Sequence, residues 1–559
     1  MKRVARYIAV CLLLLVAVSS GFAQKRTVGL LNYDKQRVYD GYNLVFPRGA
    51  GTVYLIDNCG NVVHTWPDTS ANSGPNQSVY LQPDGSIYVA KGAEPDTVIV
   101  FGKGNERIEH RDWNNNLLWQ YTYSDSVVKC HHDFKVLPNG NVLLIAWEVK
   151  PAGDAIAAGR DTALLPMRRM ISDHIVEVQP TGLYTGKIVW QWHAWDHLVQ
   201  HYDATKQNYG EPAQHPELIN LNYHTNSTKD DWLHINAIDY NPALDMILVS
   251  VPATNEVWIL DHSTTTQQAA GHTGGRAGRG GDLLWRWGNP EAYSAGDSTH
   301  QQLYFQHNAH WLVSDPGAVP ANAGDIAVYN NAYPDSASSV AVLTPVFDTT
   351  TWSFKQAGST WLPRSFSWQY TTPQKGAMFS PVASSVQLLP NGNKLICAGK
   401  KGYVFEVDTL QRIVWEYVVP TRMGKPVEQR TVLAESDNRT FRVQRYPAAW
   451  PCFAGKNFTG AEPLETMADT AFCNALVYFD VKGKRAACYV YYDTGLKRLT
   501  VYPLPLTTVP VEMHIVNSTG KTMQHFVTDK RVDIKTAGWL AGKYRLKCRG
   551  MHLKEFNVW

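Results

Sequence analysis

Arg412-Ile413-Val414-Trp415-Glu416-Tyr417 is one of six copies of a single phrase: a chain reversal, apolar residues, Trp, then usually an aromatic two places on. The others are Asn61-Val62-Val63-His64-Thr65-Trp66, Asn116-Leu117-Leu118-Trp119-Gln120-Tyr121, Lys187-Ile188-Val189-Trp190-Gln191-Trp192, Asp282-Leu283-Leu284-Trp285-Arg286-Trp287 and Ser365-Phe366-Ser367-Trp368-Gln369-Tyr370. Alternation places each Trp and its i+2 aromatic on one face of a strand. A second phrase, a tight turn and an apolar strand, precedes most copies, as at Pro83-Asp84-Gly85, Pro138-Asn139-Gly140 and Pro390-Asn391-Gly392. Asp-Gly and Asn-Gly supply the positive φ angles of a short hairpin. Turn, strand, strand, turn, Trp strand describes one blade of a β-propeller. The expected fold is therefore all-β: a six-bladed β-propeller with a small C-terminal β-sandwich. Trp66 to Trp119 and Trp368 to Trp415 are each about one blade apart, and the wider intervals between them require insertions. The fifth copy is the poorest, because Pro363 interrupts its approach, which leaves five or seven blades as alternatives.

The chain starts Met1-Lys2-Arg3, runs apolar from Ile8 to Val18 and reaches Gly21-Phe22-Ala23. A basic start, a short apolar core and small residues at the −3 and −1 positions read as a signal peptide over 1–23. The mature protein is then expected to be secreted or displayed at the cell surface after passing the periplasm. The apolar run is short for a bilayer span, and no other segment looks transmembrane. A net charge of +3 gives no electrostatic case for nucleic acid or an acidic membrane surface. An oxidising compartment makes one disulfide plausible among Cys452, Cys473 and Cys488, whereas Cys59, Cys130 and Cys397, in strand-like surroundings, read as buried thiols.

The propeller is expected over 24–470, a linker over 471–500 and a separate β domain over 501–559. The last stretch carries Val501-Tyr502-Pro503-Leu504-Pro505, a strand ending at Gly520-Lys521 and a Gly542-Lys543-Tyr544 element. It resembles the C-terminal sorting domain of the type IX secretion system of Bacteroidetes, which implies that secretion machinery as a partner.

Histidine carries the chemistry. His131-His132-Asp133, Trp232-Leu233-His234-Ile235-Asn236 and Phe305-Gln306-His307-Asn308 each fall near the start of a blade's first strand. Innermost strands line a propeller's channel, so equivalent positions in different blades converge on the axis. These strings, with Asn255-Glu256-Val257-Trp258-Ile259-Leu260-Asp261-His262, Gly271-His272-Thr273-Gly274-Gly275 and Arg286-Trp287-Gly288-Asn289-Pro290, resemble the bacterial arylsulfate sulfotransferases over roughly 35–465. The resemblance implies a six-bladed propeller that moves a sulfuryl group from a phenolic sulfate to a phenol. It implies a ping-pong route through a sulfohistidine, with no nucleotide donor and no cofactor.

By that resemblance His307 is the nucleophile. His234 would handle the proton, Asn236 would donate to a sulfuryl oxygen, and His131 or His132 would complete the pocket. The chemistry needs little beyond an in-line nucleophile and donors around the equatorial oxygens, and neutral imidazole is a competent nucleophile near pH 7. Three positions depart from the family: Val251-Pro252-Ala253 has no cation, Val382 follows Phe379-Ser380-Pro381 in place of a histidine, and Tyr333-Pro334-Asp335 replaces an arginine. Arg286 is the candidate to compensate. The Gly-rich stretch with Arg276 and Arg279 lacks a phosphate-loop ending and reads as a loop near the channel mouth. No metal is expected, because no carboxylate recurs beside the histidines. The rival reading is a catalytically decayed propeller that serves as a surface binding module.

Overall fold

The computed structural model describes residues 26–558 except 69–77, 93–105, 166, 224–229, 319–323, 334–336, 375, 459–460, 471–472, 474–475, 482–483, 494–496, 504–510, 529 and 549–550. The leader at 1–23 lies outside the described residues. The described chain is nearly all-β in class, with two short α-helices at Ala152–Ala157 and Thr266–Ala269. No helix among the described residues is long and apolar enough to cross a membrane.

Six antiparallel sheets follow one another along the chain. The second runs Val79–Leu81, Ile87–Lys91, Arg107–Arg111, Leu117–Thr122 from its inner to its outer edge, and the third runs Val128–Val136, Val142–Pro151, Arg169–Gly182, Thr185–His193. The fourth begins at Ala237–Asn241 and ends at Trp285–Trp287, and the fifth begins at His307–Trp311 and ends at Trp368–Tyr370. The sixth begins at Ser385–Leu388 and carries a fifth strand, Gly29–Tyr33, outside Ile413–Val418. The first sheet takes its innermost strand, Thr440–Pro447, from far along the chain, pairs it with Gly41–Pro47, and ends at Val62–Pro67. Both chain ends of the repeat region are thereby built into sheets, which closes the ring at two places. The architecture is propeller-like.

All six copies of the Trp phrase form the outermost repeat strand of a sheet. There the indoles join each sheet to the next. Trp66 Nε1 donates to the Asp112 carbonyl at 3.1 Å, Trp119 to Thr185 at 3.0 Å, Trp190 to the Thr264 hydroxyl at 3.1 Å and Trp285 to the Leu362 carbonyl at 3.0 Å. Trp415 donates to the Asn58 carbonyl at 2.7 Å, so the sixth sheet is bonded to the first. The weak fifth copy is the exception: Trp368 instead lies under Lys394 Nζ, 4.6 Å from the ring centroid. The residues that spoil its approach serve the preceding sheet, since the Leu362 and Pro363 carbonyls accept from Trp285 and Trp287. The hairpin glycines behave as their sequence requires, with φ of +90° at Gly85, +84° at Gly140 and +85° at Gly392.

Several expectations are corrected. The segment 471–500, read as a linker, holds the strands Leu476–Val481 and Lys484–Asp493 and the start of Arg498–Pro503. These join Val532–Lys535 in one four-stranded sheet, and Val511–Asn517, Thr522–Thr528, Gly542–Cys548 and Met551–Val558 form another. The two sheets share one apolar core around Val490, Val501, Met513, Ile515 and Leu546. The segment has no Trp phrase to mark its strands, although Gly483 and Asp493-Thr494-Gly495 stand between them in the sequence. Cys473 pairs with Cys59 rather than with Cys452 or Cys488, which remain buried thiols. The partners stand 414 residues apart, a proximity that only the folded ring creates. The Gly-rich loop packs at the outer edge, not at the channel mouth: Gly281 accepts from Trp192, and Arg276 lies 4.8 Å over Trp352.

Candidate active site

The innermost strands of the third, fourth and fifth sheets begin with backbone that L-residues rarely adopt. His132, His234, Phe305 and Asn308 have φ of +53°, +57°, +52° and +53°, and at the start of the sixth sheet Ala383 and Ser384 have +55° and +98°. Such conformations cost of order 1–3 kcal/mol each and persist where the surroundings over-determine them. In the third sheet Cys130 faces Ala146 and Phe134 faces Leu144, so His131-His132-Asp133 bulge opposite Ile145. In the fifth, Asn308 and Ala309 bulge between the pairs His307–Tyr329 and His310–Ala327. A bulge re-aims a side chain, and here it re-aims the histidines toward the axis.

Hydrogen bonds between neighbouring sheets join the inner strands around the ring. Ser78 Oγ donates to Asp133 Oδ1 at 2.6 Å, and Asp173 accepts from the amides of His234 at 3.1 Å and Ile235 at 3.3 Å. Asn236 Nδ2 donates to the Gln306 carbonyl at 2.8 Å, Asn308 Oδ1 accepts from the Val386 amide at 2.9 Å, and the Ser384 amide reaches the Phe441 carbonyl at 3.1 Å.

His307 is buried, 4% exposed, and its tautomer can be assigned. Asn331 Nδ2 donates to the Ser380 and Ala383 carbonyls at 2.7 and 2.8 Å, so its Oδ1, 2.9 Å from His307 Nδ1, must accept. His307 therefore carries its proton on Nδ1. Nε2 keeps the lone pair and accepts from the Ala383 amide at 3.2 Å. Burial, with help from the nearby His234 imidazole and Arg439 guanidinium, pushes its pKa down to about 3. The ring is neutral across the physiological range.

His132 and His234 meet edge to face, their centroids 4.6 Å apart, and both lie within the electrostatic reach of His307. His234 Nδ1 is 2.5 Å from Asp231 Oδ2, which orients the ring. His132 Nδ1 is 2.7 Å from His131 Nδ1. His131 stands behind, stacked on Trp147 at 4.1 Å; its Nε2 is 2.9 Å from Asp173 Oδ1 but off the hydrogen-bonding direction. Of the doublet, His132 faces the other site histidines and His131 backs it. Burial pushes both imidazoles well below their ordinary pKa, and burial with the Asp231 charge pushes the Asp173 carboxyl well above the usual range.

Two expected residues do other work. Asn236 is fully buried and its amide supports the backbone at Gln306, immediately before His307. Arg286 is not at the site. It is 1% exposed, bonded to Glu256 through Nε at 2.8 Å and Nη2 at 2.5 Å, and donates to the Pro216 and Leu218 carbonyls. The insertion between the third and fourth sheets covers the face that the sequence left open.

The sequence reading missed Asp231, Asn331, Phe441 and Arg439. Asp231 stood in plain view three residues before His234. Asn331 is overshadowed in the sequence by Tyr333-Pro334-Asp335, the departure from the family pattern two residues later. Phe441 and Arg439 belong to the closing strand, where no repeat marks the register. The Phe441 ring is 6.4 Å from both His132 and His307.

Six sheets bonded one to the next, with His132, His234 and His307 brought together from three successive sheets and burial holding His132 and His307 neutral, define a propeller-like protein with a buried histidine cluster. Residues 31–439 match the family model Arylsulfotransferase (ASST), and the chain belongs to that family, whose chemistry is sulfuryl transfer from aryl sulfates. No curated protein matches the chain. Among solved structures it is similar to a protein of unknown function from Bacteroides caccae, at 12% identity and TM-score 0.36, covering 67% of this chain and 93% of that one. It is also similar to a streptogramin B lyase, at 8% identity and TM-score 0.32, covering 72% and 86%. Likenesses at these scores carry no argument.

Proposed function

We propose that this chain is a six-bladed propeller sulfotransferase that moves a sulfuryl group from a phenolic sulfate to a phenol in two half-reactions through His307. The observation that carries the reading is the state of His307: buried, neutral, its proton held on Nδ1 by Asn331, its Nε2 lone pair turned to the Ala383 amide, and His132 and His234 within its electrostatic reach. In the first half-reaction Nε2 attacks sulfur. The N–S bond forms as the S–O(aryl) bond breaks, and the leaving phenoxide takes a proton from His234. In the second, His234 removes the proton of the acceptor phenol, whose oxygen attacks sulfur. The N–S bond breaks and its electron pair returns to Nε2. The Ala383 amide, 3.2 Å from the lone pair at rest, loses that acceptor once the N–S bond forms and is then placed to donate to a sulfuryl oxygen. A donor that gains its acceptor only along the reaction favours the transition state over the ground state.

Two-substrate kinetics test the reading. With 4-nitrophenyl sulfate as donor and phenol as acceptor, we expect phenol-stimulated nitrophenol release and parallel double-reciprocal lines. Intersecting lines would exclude the covalent route, and absence of release over several donors would leave a binding propeller. We further propose that the N-terminal leader and the two C-terminal sheets, read as a β-sandwich, direct export to the cell surface through a type IX apparatus. Removal of 476–559, which takes away both sheets, should then leave the protein in the periplasm of a host that has this apparatus.

A further inference from the structure

We infer that Arg439, at the start of the closing strand, is the guanidinium that binds the sulfuryl oxygens in this chain. The inference rests on the sulfuryl-transfer reading and deepens it, because the positions from which a cation was expected carry none here and Arg286 is committed elsewhere.

Position comes first. Thr440–Pro447 is the innermost strand of the first sheet. Phe441 on that strand reaches both His132 and His307, at 6.4 Å from each. Arg439 stands two residues before Phe441, between a turn and that strand. Its charge is felt by both histidines.

Its pairing points the same way. Three other buried arginines of the ring have carboxylates, Arg286 with Glu256, Arg442 with Asp133 and Arg445 with Glu406, and a fourth, Arg160, is bonded to the Leu221 and Leu164 carbonyls. Among the described residues the Arg439 side chain has no hydrogen-bond acceptor and no carboxylate. Its strand neighbour is another arginine, since the Arg48 amide donates to the Arg439 carbonyl at 2.7 Å, and among the described residues the Arg48 side chain likewise has no carboxylate. The acidic groups near this rim are engaged with other cations, Glu435 with Lys400 and Asp437 with Arg422. A half-buried guanidinium beside a like charge is stabilised by an anion supplied from outside. The planar fork of an arginine matches two oxygens of a tetrahedral oxyanion.

Arg439 would therefore hold the non-bridging oxygens in the donor ester and in the sulfohistidine alike, acting on affinity as well as rate. The test uses the full chain in two assays, inorganic sulfate binding by calorimetry and transfer from 4-nitrophenyl sulfate to phenol. Arg439→Gln should raise the sulfate Kd and the donor KM by roughly 10- to 150-fold, as expected for a hydrogen-bonded charge. Arg439→Lys should recover about a tenth to a third of the loss, because the charge returns without the fork. A merely structural role would not give this graded order in sulfate affinity at unchanged melting temperature. A folded Arg439→Gln protein that binds sulfate and turns over like the parent overturns the inference while leaving the transferase reading intact. Sulfate binding that depends on Arg439 in a protein without transfer activity upholds the anion site and removes the transferase reading.

Discussion

His307 and His310 lie on one strand and serve opposite ends of the same channel. His307 is held neutral by burial, with its pKa near 3. Against equal burial, Asp315, 3.1 Å from its Nε2, keeps His310 above the ordinary imidazole value. The surroundings repeat the contrast. At the His310 end a cavity of about 300 Å³ is lined by all six innermost strands, Tyr80, Lys135, Asp239 and Arg442 among the contributors. Its charges are matched: Lys135 Nζ is 2.6 Å from Asp239, and Arg442 Nη2 is 2.6 Å from Asp133. At the His307 end burial holds His131, His132 and His307 neutral, the backbone is repeatedly left-handed, and Arg439 has no counter-charge among the described residues. Volume marks one end and the proposed chemistry the other. A balanced cavity has no electrostatic reason to seize an anion, whereas an excess cation beside a lone pair does.

Substitutions at the two ends should separate them. The largest effect is expected for His307→Asn, which removes the nucleophile but keeps a hydrogen-bonding group: transfer falls by at least about 1,000-fold with the melting temperature within a few degrees. Next, His234→Gln should lower transfer by roughly 100- to 10,000-fold. Its effect should shrink for aryl sulfates with better leaving groups, which need less proton donation. Equal losses across a leaving-group series would take the general-acid role from His234.

At the other end Arg442→Met should act through stability alone. It strands the Asp133 carboxylate, already bonded to Ser78 and Tyr80, in a buried site, and loss of one partner of a buried pair costs about 3–5 kcal/mol. Chemical denaturation should show this shift while the remaining folded protein keeps its KM. A mild version is Lys135→Gln, whose partly exposed ion pair with Asp239 should cost about 1 kcal/mol or less and leave transfer unchanged. Loss of transfer in a stable Lys135→Gln protein would move the chemistry toward the balanced end.

The fourth and third sheets are joined by a charge of their own. His262 lies 2.7 Å from Asp245 and 3.0 Å from Glu177; burial opposes its charge, but these carboxylates raise its pKa to about 9. The folded value exceeds the unfolded value of about 6.5, so folding favours the protonated form. This stabilisation is full below about pH 6.5 and fades as pH rises through 9, to a total of order 3 kcal/mol. His262→Asn should flatten stability between these limits; an unchanged slope would remove His262 as its source.

Much of this was legible because the repeat is written in side chains with fixed duties. The six Trp phrases give the outer strands, since an indole at the rim both alternates with period two and donates to the next sheet. Turn glycines give the hairpins. His132, His234 and His307 stand out because they recur at one place in successive units. Arg286 misled because the residues that bury it, Pro216 and Leu218, come from an insertion with no repeat to align. Arg439 was hidden for a related reason: its strand closes the ring from the far end of the chain, where position depends on pairing with Gly41–Pro47 and not on local pattern. The Cys59–Cys473 bridge depends on the same closure.

The most direct measurement is mass analysis of protein quenched after mixing with 4-nitrophenyl sulfate in the absence of an acceptor. The account predicts one added sulfuryl group, localised to the peptide carrying His307, absent from His307→Asn and discharged on addition of phenol. Release of nitrophenol with no protein-bound sulfuryl group, or a label that survives in His307→Asn, would contradict it.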